Sequence, residues 1–417
     1  MLSPSTLLDL LLVPSFLLAL GAWAGVSLLL LLRGLSGGRK AIALARARQA
    51  VGDIGRRELE PGAEGSAVVA LVATLPEHVL LPLGAGGPHD TPQAGRLAQA
   101  IVARLGRRHL ESLAASPSSP RHNARRIAAM ELLTRAESPG VTRLLAGTVD
   151  DRDQEIVGAS LAMLGRVPDD IAASALVDAL KDSKYTPSRI ATYLDRFERP
   201  LGDELRPLLH HPDSSVRFWG ATLLSRHPVA GVDADLAVLA GDPAPLVRKA
   251  AVASLAQLGG SRLAGVATAL LSDEAWFVRA HAARALASIG DADHAELIAP
   301  LLTDREWWVR LAAKESLQQL GDEVWAVLVP YLDHEDGFAR NGAAEVLQNI
   351  GVLDSLIVLE AATSRPSPAK LEMLRKIASA GGTRMTAAML ERVDDRARPR
   401  VRALLETLGL EPAGVRS

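Results

Sequence analysis

Apolar residues recur at helical spacing in four consecutive stretches of the chain. The stretches are DPAPLVRKAAVASLAQLGG, DEAWFVRAHAARALASIGD, DREWWVRLAAKESLQQLGD and HEDGFARNGAAEVLQNIGV. Relative to the arginine of each stretch, apolar residues fall one position before and three, seven and ten positions after, which is one face of an α-helix. The glycine near the end of each stretch predicts a left-handed residue that ends the helix.

The arginines and the closing glycines recur at a fixed interval. The two columns are Arg248, Arg279, Arg310 and Arg340, and Gly259, Gly290, Gly321 and Gly351. Both columns repeat after 31, 31 and 30 residues, and a fixed period of this length predicts a solenoid of helical hairpins. A shorter apolar stretch lies between the long helices and carries Pro300 or Pro330, so we expect the first helix of these hairpins to bend.

The pattern resembles the HEAT repeat family, in the short bacterial form also found in the phycobilisome lyases. The resemblance rests on the bent first helix, the Asp at the turn, the Val-Arg pair that opens the second helix and the A-x-x-x-L-x-x-x-G ending. It implies an all-α fold, an α-solenoid of HEAT-like helical hairpins. It implies little about function, because this fold hosts unrelated activities.

The repeats extend beyond their clearest part, residues 211–351. Degenerate copies place the Arg column at Arg125, Gln154, Pro187, Arg217, Lys370 and Arg398. The predicted array therefore covers residues 120–417. Each repeat buries its apolar face only against its neighbours, so we expect the copies at both ends to be atypical.

Charged residues also recur once in each repeat. The predicted structural ladder consists of Asp242, Arg248, Asp273, Arg279, Asp304, Arg310 and Arg340. We expect each Asp to cap a helix or to pair with an Arg of the same or the adjacent repeat. Repetition favours an architectural role, because a catalytic residue is needed only once.

Aromatic residues make up only 3% of the chain, yet several cluster at the start of the second helix. The candidates for protein binding are Trp276, Phe277, Trp307, Trp308 and Phe338, with Trp219 one step earlier in the array. Positions two and three before the Arg lie far from the apolar face of the helix, so we expect these rings to stand off the core. They either seal the edge between repeats or bind a partner protein.

The N-terminal segment, residues 1–32, contains a long apolar run. Residues 10–32 carry no charge, and a helix of that length covers the ~30 Å hydrocarbon core of a bilayer. A secretory signal is the alternative, because Ala22, Trp23 and Ala24 resemble a cleavage site. However, no Lys or Arg precedes the run, and it continues beyond that site. We therefore predict one transmembrane helix.

Basic residues follow this apolar run, whereas the residues before it carry only Asp9. The predicted membrane-flanking residues are Arg33, Arg39, Lys40, Arg46 and Arg48. Basic flanks stay in the cytoplasm, which predicts a single-pass protein of the inner membrane with its N-terminus outside. Residues 33–60 are predicted to form a basic juxtamembrane helix, and residues 61–119 a helical pre-domain and linker.

Composition excludes several classes of function. The chain has no cysteine, which excludes disulfides and thiolate catalysis, and its net charge of -2 argues against nucleic-acid binding. Metal-ligand residue types cluster only at His210 and His211 and at residues 333–336. HEAT-type iron enzymes carry several His-Glu pairs, whereas this chain has one, His334 and Glu335. No nucleophile elbow or paired-carboxylate motif supports hydrolase chemistry.

These patterns predict a membrane-anchored HEAT-repeat scaffold or adaptor that binds another protein, as part of a membrane-associated assembly, at the cytoplasmic membrane surface. It is predicted to be non-catalytic, with no cofactor and no nucleic-acid partner. Two alternatives remain open. One is a HEAT-type enzyme similar to a bilin lyase or a DNA glycosylase, and the other is an extracytoplasmic binding module.

Overall fold

The protein is described by a computed structural model that covers residues 38, 40–53, 66–86, 92–117, 119, 122–182, 185–363, 367–381 and 390–410. Across these ranges the regular structure is helical and contains no β-strand, which confirms the all-α class. The predicted transmembrane helix at about residues 10–32 lies outside the described residues, as do Arg33 and Arg39. The chain divides into two compact units, which meet in sequence between Ala179 and Leu180.

The first unit contains helices α1 to α9. Their bounds are α1 (residues 40–53), α2 (Ser66–Thr74), α3 (Glu77–Ala85), α4 (Pro92–Leu105), α5 (Arg107–Ala114), α6 (Asn123–Arg135), α7 (Val141–Thr148), α8 (Gln154–Leu164) and α9 (Asp170–Lys181), the last of which crosses the boundary. Helix α6 packs against α3, α4, α5 and α8, and its Leu132 is fully buried. The core of this unit therefore surrounds α6.

A buried carboxylate lies inside the first unit. Glu131 accepts hydrogen bonds from Arg135 at 2.7 Å and from Arg166 at 2.6 Å. Burial raises the pKa of Glu131, but the hydrogen bonds from Arg166 and Arg135 outweigh it and the pKa is lowered. This carboxylate therefore stays ionised between two cations, an arrangement that fixes α6 against the segment after α8.

The start of the predicted basic juxtamembrane helix is helical in the structure. Lys40, Arg46 and Arg48 lie on α1 and are exposed, and Ile42 is exposed beside them. Ala47 of the same helix is buried. Helix α1 therefore has exposed basic side chains, and its place beside a membrane stays a prediction.

The second unit continues with α10 to α23. Their bounds are α10 (Pro187–Leu194), α11 (Gly202–Leu205), α12 (Ser214–Leu224), α13 (Val232–Leu239), α14 (Pro245–Leu258), α15 (Leu263–Leu270), α16 (Trp276–Ala287), α17 (Ala295–Ile298), α18 (Trp307–Gln319), α19 (Trp325–Leu328), α20 (Gly337–Asn349), α21 (Val352–Ala362), α22 (Pro368–Gly381) and α23 (Arg398–Thr407). The second helices of successive hairpins, α12, α14, α16, α18, α20 and α22, each contact the next.

The predicted apolar face packs between these helices. Val278, Ala282 and Leu286 of α16 are fully buried, and the equivalent residues of α14, α18 and α20 are buried as well. The position ten residues after the Arg is different, because Ile289 is 41% exposed. Helix α16 ends at Ala287, so Ile289 no longer lies on the helical face. The core face is therefore one position shorter than predicted.

Proline bends the first helix where the sequence predicted it. Helix α17 changes to a 3-10 helix, Ala299–Thr303, with Pro300 at its start. Helix α19 changes in the same way at Pro330. Proline has no N–H group to continue the α-helical hydrogen bonding, so the helix changes type at that point. The corresponding helix α15 has no proline, and it stays α-helical throughout.

The closing glycines adopt the predicted left-handed backbone. Gly259, Gly290, Gly321 and Gly351 have φ angles of 66°, 77°, 89° and 82°. Only glycine adopts such angles without a steric penalty, so these residues end each second helix and start the next hairpin.

Membrane-spanning potential can be judged only for the described residues. Among them no single helix is long and apolar enough to cross a bilayer. One bent pair, Gly337–Asn349 with Val352–Ala362, meets the limits of length and composition when the two helices are taken together.

Candidate functional site

Three arginines of the second unit each bind an aspartate of the next repeat. Each Arg–Asp pair is bidentate and joins residues 25 apart. The pairs are Arg217–Asp242 at 2.7 and 2.9 Å, Arg248–Asp273 at 2.7 and 2.8 Å, and Arg279–Asp304 at 2.8 and 2.8 Å. In every case Nε and Nη2 donate to the two carboxylate oxygens. The planar guanidinium group thus binds one carboxylate through two parallel hydrogen bonds, and we call its two donors, Nε and Nη2, the fork.

The same arginines also hold the turn of their own repeat. The Nη1 atom of Arg279 donates to the carbonyl oxygen of Asp273 at 2.7 Å, and Arg217 and Arg248 make the equivalent bond. Each arginine therefore connects two turns. The neighbouring carboxylates raise the pKa of all three guanidinium groups, although burial acts in the opposite direction.

Each aspartate also bonds the backbone of its own turn, two residues further on, just before the second helix begins. The Oδ1 atom of Asp273 accepts the N–H of Ala275 at 2.8 Å, and Asp242 and Asp304 make the equivalent contact. Burial raises the pKa of each aspartate, but the bonds from Arg and from the backbone outweigh it and lower the pKa. Of the two roles that the sequence offers, pairing with an Arg of the adjacent repeat is observed, whereas the aspartates close the turn and do not cap the helix.

The series of pairs stops at Arg310, which the sequence had assigned to it. The Nη1 atom of Arg310 donates to the carbonyl oxygen of Asp304 at 2.7 Å, as in the preceding repeats. Its Nε and Nη2 atoms have no hydrogen-bond partner among the residues that the structure describes. The next turn carries His334 where its predecessors carry Asp, so no carboxylate stands at that position. The guanidinium group lies instead over the ring of Phe338, 4.3 Å from its centre.

His334 keeps the local geometry of the aspartates. Its Nδ1 atom accepts the N–H of Asp336 at 3.0 Å, and its carbonyl oxygen accepts Nη1 of Arg340 at 2.7 Å. The turn is therefore preserved while the carboxylate is lost. His211 makes the equivalent contact with the N–H of Asp213 before the first pair, so a histidine precedes and follows the series.

A related pair lies in the first unit. Nη2 of Arg126 donates to Asp151, again 25 residues apart, at 2.7 Å, but its Nε donates to the carbonyl oxygen of Ala114 at 3.0 Å. The N–H of Asp153 donates to Asp151 at 2.9 Å. Comparison of the repeats within the sequence places Arg125 in the Arg column of this first repeat. Arg125 is exposed and binds Glu77 instead. The register of the first copy is therefore one residue later than predicted, and the shift moves the buried position to Arg126.

Five rings form an aromatic stripe along the start of successive second helices, defined here as Trp276, Phe277, Trp307, Trp308 and Phe338. Trp276 of α16 stacks on Trp308 of α18, with ring centres 6.5 Å apart and planes at 24°. Trp307 meets Trp308 edge to face at 4.6 Å, and Trp276 meets Phe277 at 5.6 Å. The stripe therefore crosses from one repeat to the next.

The aromatic stripe remains accessible despite these contacts. Trp307 and Trp308 are each 54% exposed and Phe338 is 64% exposed, whereas Phe277 is half-buried. Leu246, which occupies the equivalent position one repeat earlier, is exposed too. These rings thus stand off the core, and the four rings of α16 and α18 contact one another while Phe338 contacts Arg310.

Trp219 does not join the stripe. It lies two residues after Arg217, which places it one turn further along the helix and about 40° from the position of Phe277, Trp308 and Phe338. It is half-buried and meets only the ring of Phe218, at 5.1 Å. Trp219 therefore has no ring contact with the stripe among the described residues, and its role in protein binding stays a prediction.

The sequence analysis did not single out Trp325, which lies on a first helix. This ring is exposed and lines a groove of about 910 Å³ formed by α19, α21 and α22. Leu332, Leu356 and Met373 contribute apolar walls. A lone tryptophan at an outward position of a short helix was the available signal.

Within the described residues, no group of His, Asp and Glu side chains has the arrangement of a metal site. The ring nitrogens Nδ1 of His211 and His334 are occupied by the backbone of their own turns. The clusters at His210 and His211 and at residues 333–336 therefore serve the turns between helices.

The comparisons with known proteins concern the repeats. The family model described as HEAT repeats matches residues 202–280, 232–318, 263–348 and 295–378. HEAT repeats are therefore present throughout residues 202–378, which includes the Arg–Asp pairs and the aromatic stripe. No curated protein sequence matches the chain.

Solved structures similar to this chain are distant in sequence. An engineered protein from a structural genomics consortium is 18% identical, with a TM-score of 0.38, over 87% of this chain and 98% of that protein. Kap121p is 14% identical, with a TM-score of 0.47, over 86% of this chain and 45% of Kap121p. A mutant of Kap121p is 12% identical, with a TM-score of 0.47, over 88% and 53% of the two chains. This chain spans about half of Kap121p.

Proposed function

We propose that the HEAT repeats of this chain act as a non-catalytic scaffold that binds a protein partner through the aromatic stripe. HEAT-repeat solenoids commonly serve as protein-binding scaffolds, and this proposal names the surface used here. The stripe lies on a rigid series of second helices, which the buried Arg–Asp pairs connect. A rigid platform of this kind lowers the entropy cost of binding.

The exposure of the rings carries the proposal. The buried apolar face already packs the repeats together, as the fully buried Ala282 and Ala313 show. Large rings at the start of α16 and α18 are not needed for that packing, since α14 begins with Pro245 at the same position. Exposed tryptophans in contact with one another are typical of binding hot spots, where truncation costs ~2 kcal/mol or more.

The test changes Trp276 and Trp307 together to Ser in the full chain. Partners that co-purify with the parent protein should be lost, while the melting temperature changes little. Trp325→Ser is the matched control, because Trp325 is exposed to a similar degree but lies outside the stripe. Unaltered partners in the double variant would refute the stripe as the binding surface. A large fall in melting temperature would show that the rings seal the repeats.

The setting of this scaffold is the second part of the proposal. We propose that residues 10–32 anchor the protein in the inner membrane and that the repeats lie on its cytoplasmic side, beside a membrane-associated assembly. The basic residues after the apolar run and the exposed Lys40, Arg46 and Arg48 of α1 support this orientation. A reporter that is active only outside the cytoplasm, fused after Ser417, should be silent. Strong reporter activity would contradict the cytoplasmic placement.

A further inference from the structure

We propose that the guanidinium group of Arg310 is a carboxylate-binding site, which receives an acidic side chain of a partner polypeptide that also contacts the aromatic stripe. The inference rests on the proposed protein-binding function and names the chemistry of the partner. It starts from the three preceding repeats, which show what the same arginine does when a carboxylate is present.

The three preceding repeats define the geometry of the site. In each of them Nε and Nη2 of the arginine hold both oxygens of one carboxylate at 2.7 to 2.9 Å. Nη1 is fixed at the same time by carbonyl oxygens of the preceding turn. Arg310 keeps the bonds from Nη1, which donates to the carbonyl oxygens of Asp304 and Arg305 at 2.7 and 3.1 Å. Its guanidinium group is therefore oriented as in the other repeats.

The Nε and Nη2 atoms of Arg310 lack the aspartate that the preceding repeats supply. His334 stands where the preceding repeats place an aspartate, and its Nδ1 faces the N–H of its own turn. The carboxylates next to His334 in sequence are Asp333, which binds Lys376, and Glu335, which is exposed and makes no ion pair with Arg310 in the structure. The two donors Nε and Nη2 are thus held in position without an acceptor among the described residues. These two donors would bind a carboxylate from outside the repeats.

The surroundings favour an acidic group within an apolar peptide. Arg310 lies over Phe338, and Trp308 precedes it by two residues on the same helix. Both rings belong to the aromatic stripe, so the open fork lies within the proposed binding surface. The adjacent Arg305 and Glu306 are only 3.9 Å apart and offset each other's charge. Arg310 makes no ion pair with a described residue, and its charge is complementary to Asp, Glu or a C-terminal carboxylate.

The experiment selects short peptides from a random library on the full immobilised chain. Peptides that bind the stripe should be enriched in Asp or Glu beside apolar residues. For the best peptide, replacing its acidic residue by the uncharged amide should weaken binding on the order of tenfold. Arg310→Gln should weaken the acidic peptide by a similar factor and remove the difference between the acidic and the amide forms.

Two further variants distinguish bidentate binding by Nε and Nη2 from attraction to a positive charge alone. Arg305→Gln removes the same charge from an exposed neighbour that is outside the fork, and it should leave the acid-to-amide ratio unchanged. Arg310→Lys keeps the charge but cannot bind both oxygens, so it should lose most of the ratio. Melting temperatures of all variants verify that the repeats are folded, and Arg310→Lys serves if Arg310→Gln does not fold.

The outcomes separate this inference from the proposed function. If the selected peptides are neutral and lose binding in the Trp276→Ser, Trp307→Ser variant, the stripe binds protein but Arg310 is not a carboxylate site. An acid-to-amide ratio that survives Arg310→Gln, or that Arg305→Gln reduces equally, also overturns the inference. If no selected peptide depends on either the rings or Arg310, both proposals fail.

Discussion

The joint between α16 and α18 and the joint between α18 and α20 share the buried apolar face and the hydrogen bonds of the turn, but they differ in the partner of the arginine. We use joint for the contact between second helices of neighbouring repeats. In the first joint Arg279 holds Asp304, and both side chains are almost fully buried. In the second, Arg310 faces a turn that carries His334. We call the first joint closed, because an Arg–Asp ion pair bridges it, and the second open, because it lacks this pair. Both turns have the same hydrogen bonds.

The comparison shows that the ion pair and the packing have separate roles. Both joints keep the buried apolar face, with Ala313 and Leu317 of α18 fully buried. Burying one such aliphatic side chain contributes about 2 kcal/mol, so packing holds the open joint without the pair. The exposed pair Lys314–Glu345, at 2.6 Å, crosses the open joint but adds little in water. An arginine released from pairing is therefore compatible with a folded repeat, and its chemistry is free for another use.

The largest expected effect comes from breaking the packing of the closed joint. Ala282→Glu buries a carboxylate between α16 and its neighbours, where Ala282 has no exposed surface. We expect the second unit to lose at least about 4 kcal/mol of its free energy of unfolding. Urea unfolding followed by tryptophan fluorescence measures this loss, because five of the six tryptophans lie in the second unit.

The control for this variant is the same change at an exposed alanine. Ala253→Glu, on the outer side of α14, should alter the free energy of unfolding by less than about 0.5 kcal/mol. If Ala282→Glu unfolded at the same urea concentration as Ala253→Glu, the position of the core face between the helices would be wrong.

The next effect sharpens the difference between the two joints. Arg279→Gln leaves Asp304 buried without its cation, and we expect a loss of about 3 kcal/mol. Arg310→Gln removes only the contact with Phe338 and the bonds to its own turn, so the loss should be about 1 kcal/mol. Urea unfolding of both variants gives the two values. Equal losses would mean that Arg310 is paired in solution and that the second joint is closed.

A smaller effect is the change of stability with pH at Asp273. The folded-state pKa of Asp273 is lowered, so its contribution to stability is complete above the ordinary Asp pKa of about 3.9 and is lost as the pH falls through the lowered value. Asp273→Asn should therefore be less stable than the parent at neutral pH, and the difference should shrink below pH ~4. Melting temperatures across this range measure the effect, with Asp293→Asn as the exposed control. A difference that stays constant with pH would contradict the pairing.

Much of the fold follows from patterns that the sequence shows directly. Period, helical spacing, the prolines at Pro300 and Pro330 and the glycine column report local backbone requirements, so they predict hairpins, bends and helix ends. Ile289 was misassigned because spacing alone does not show where α16 ends. Arg125 was preferred to Arg126 because a one-residue shift between two arginines leaves the composition of the repeat unchanged, and only burial separates them.

The candidate site was predicted less completely. The exposure of Trp307 and Trp308 follows from their angle to the apolar face, which is a property of the helix alone. The state of Arg310 depends instead on a residue of the next repeat, His334, and on whether that residue supplies a carboxylate. The sequence also did not show that Trp219 contacts only the ring of Phe218 among the described residues.

The central claim is that Arg310 is open because His334 replaces an aspartate, and His334→Asp tests it most directly. The variant should supply the missing carboxylate, increase the free energy of unfolding of the second unit by about 1 kcal/mol, and block binding of acidic peptides at the stripe. Urea unfolding and peptide affinity are measured on the same preparation. A variant that is no more stable than the parent and binds acidic peptides equally well would contradict the account.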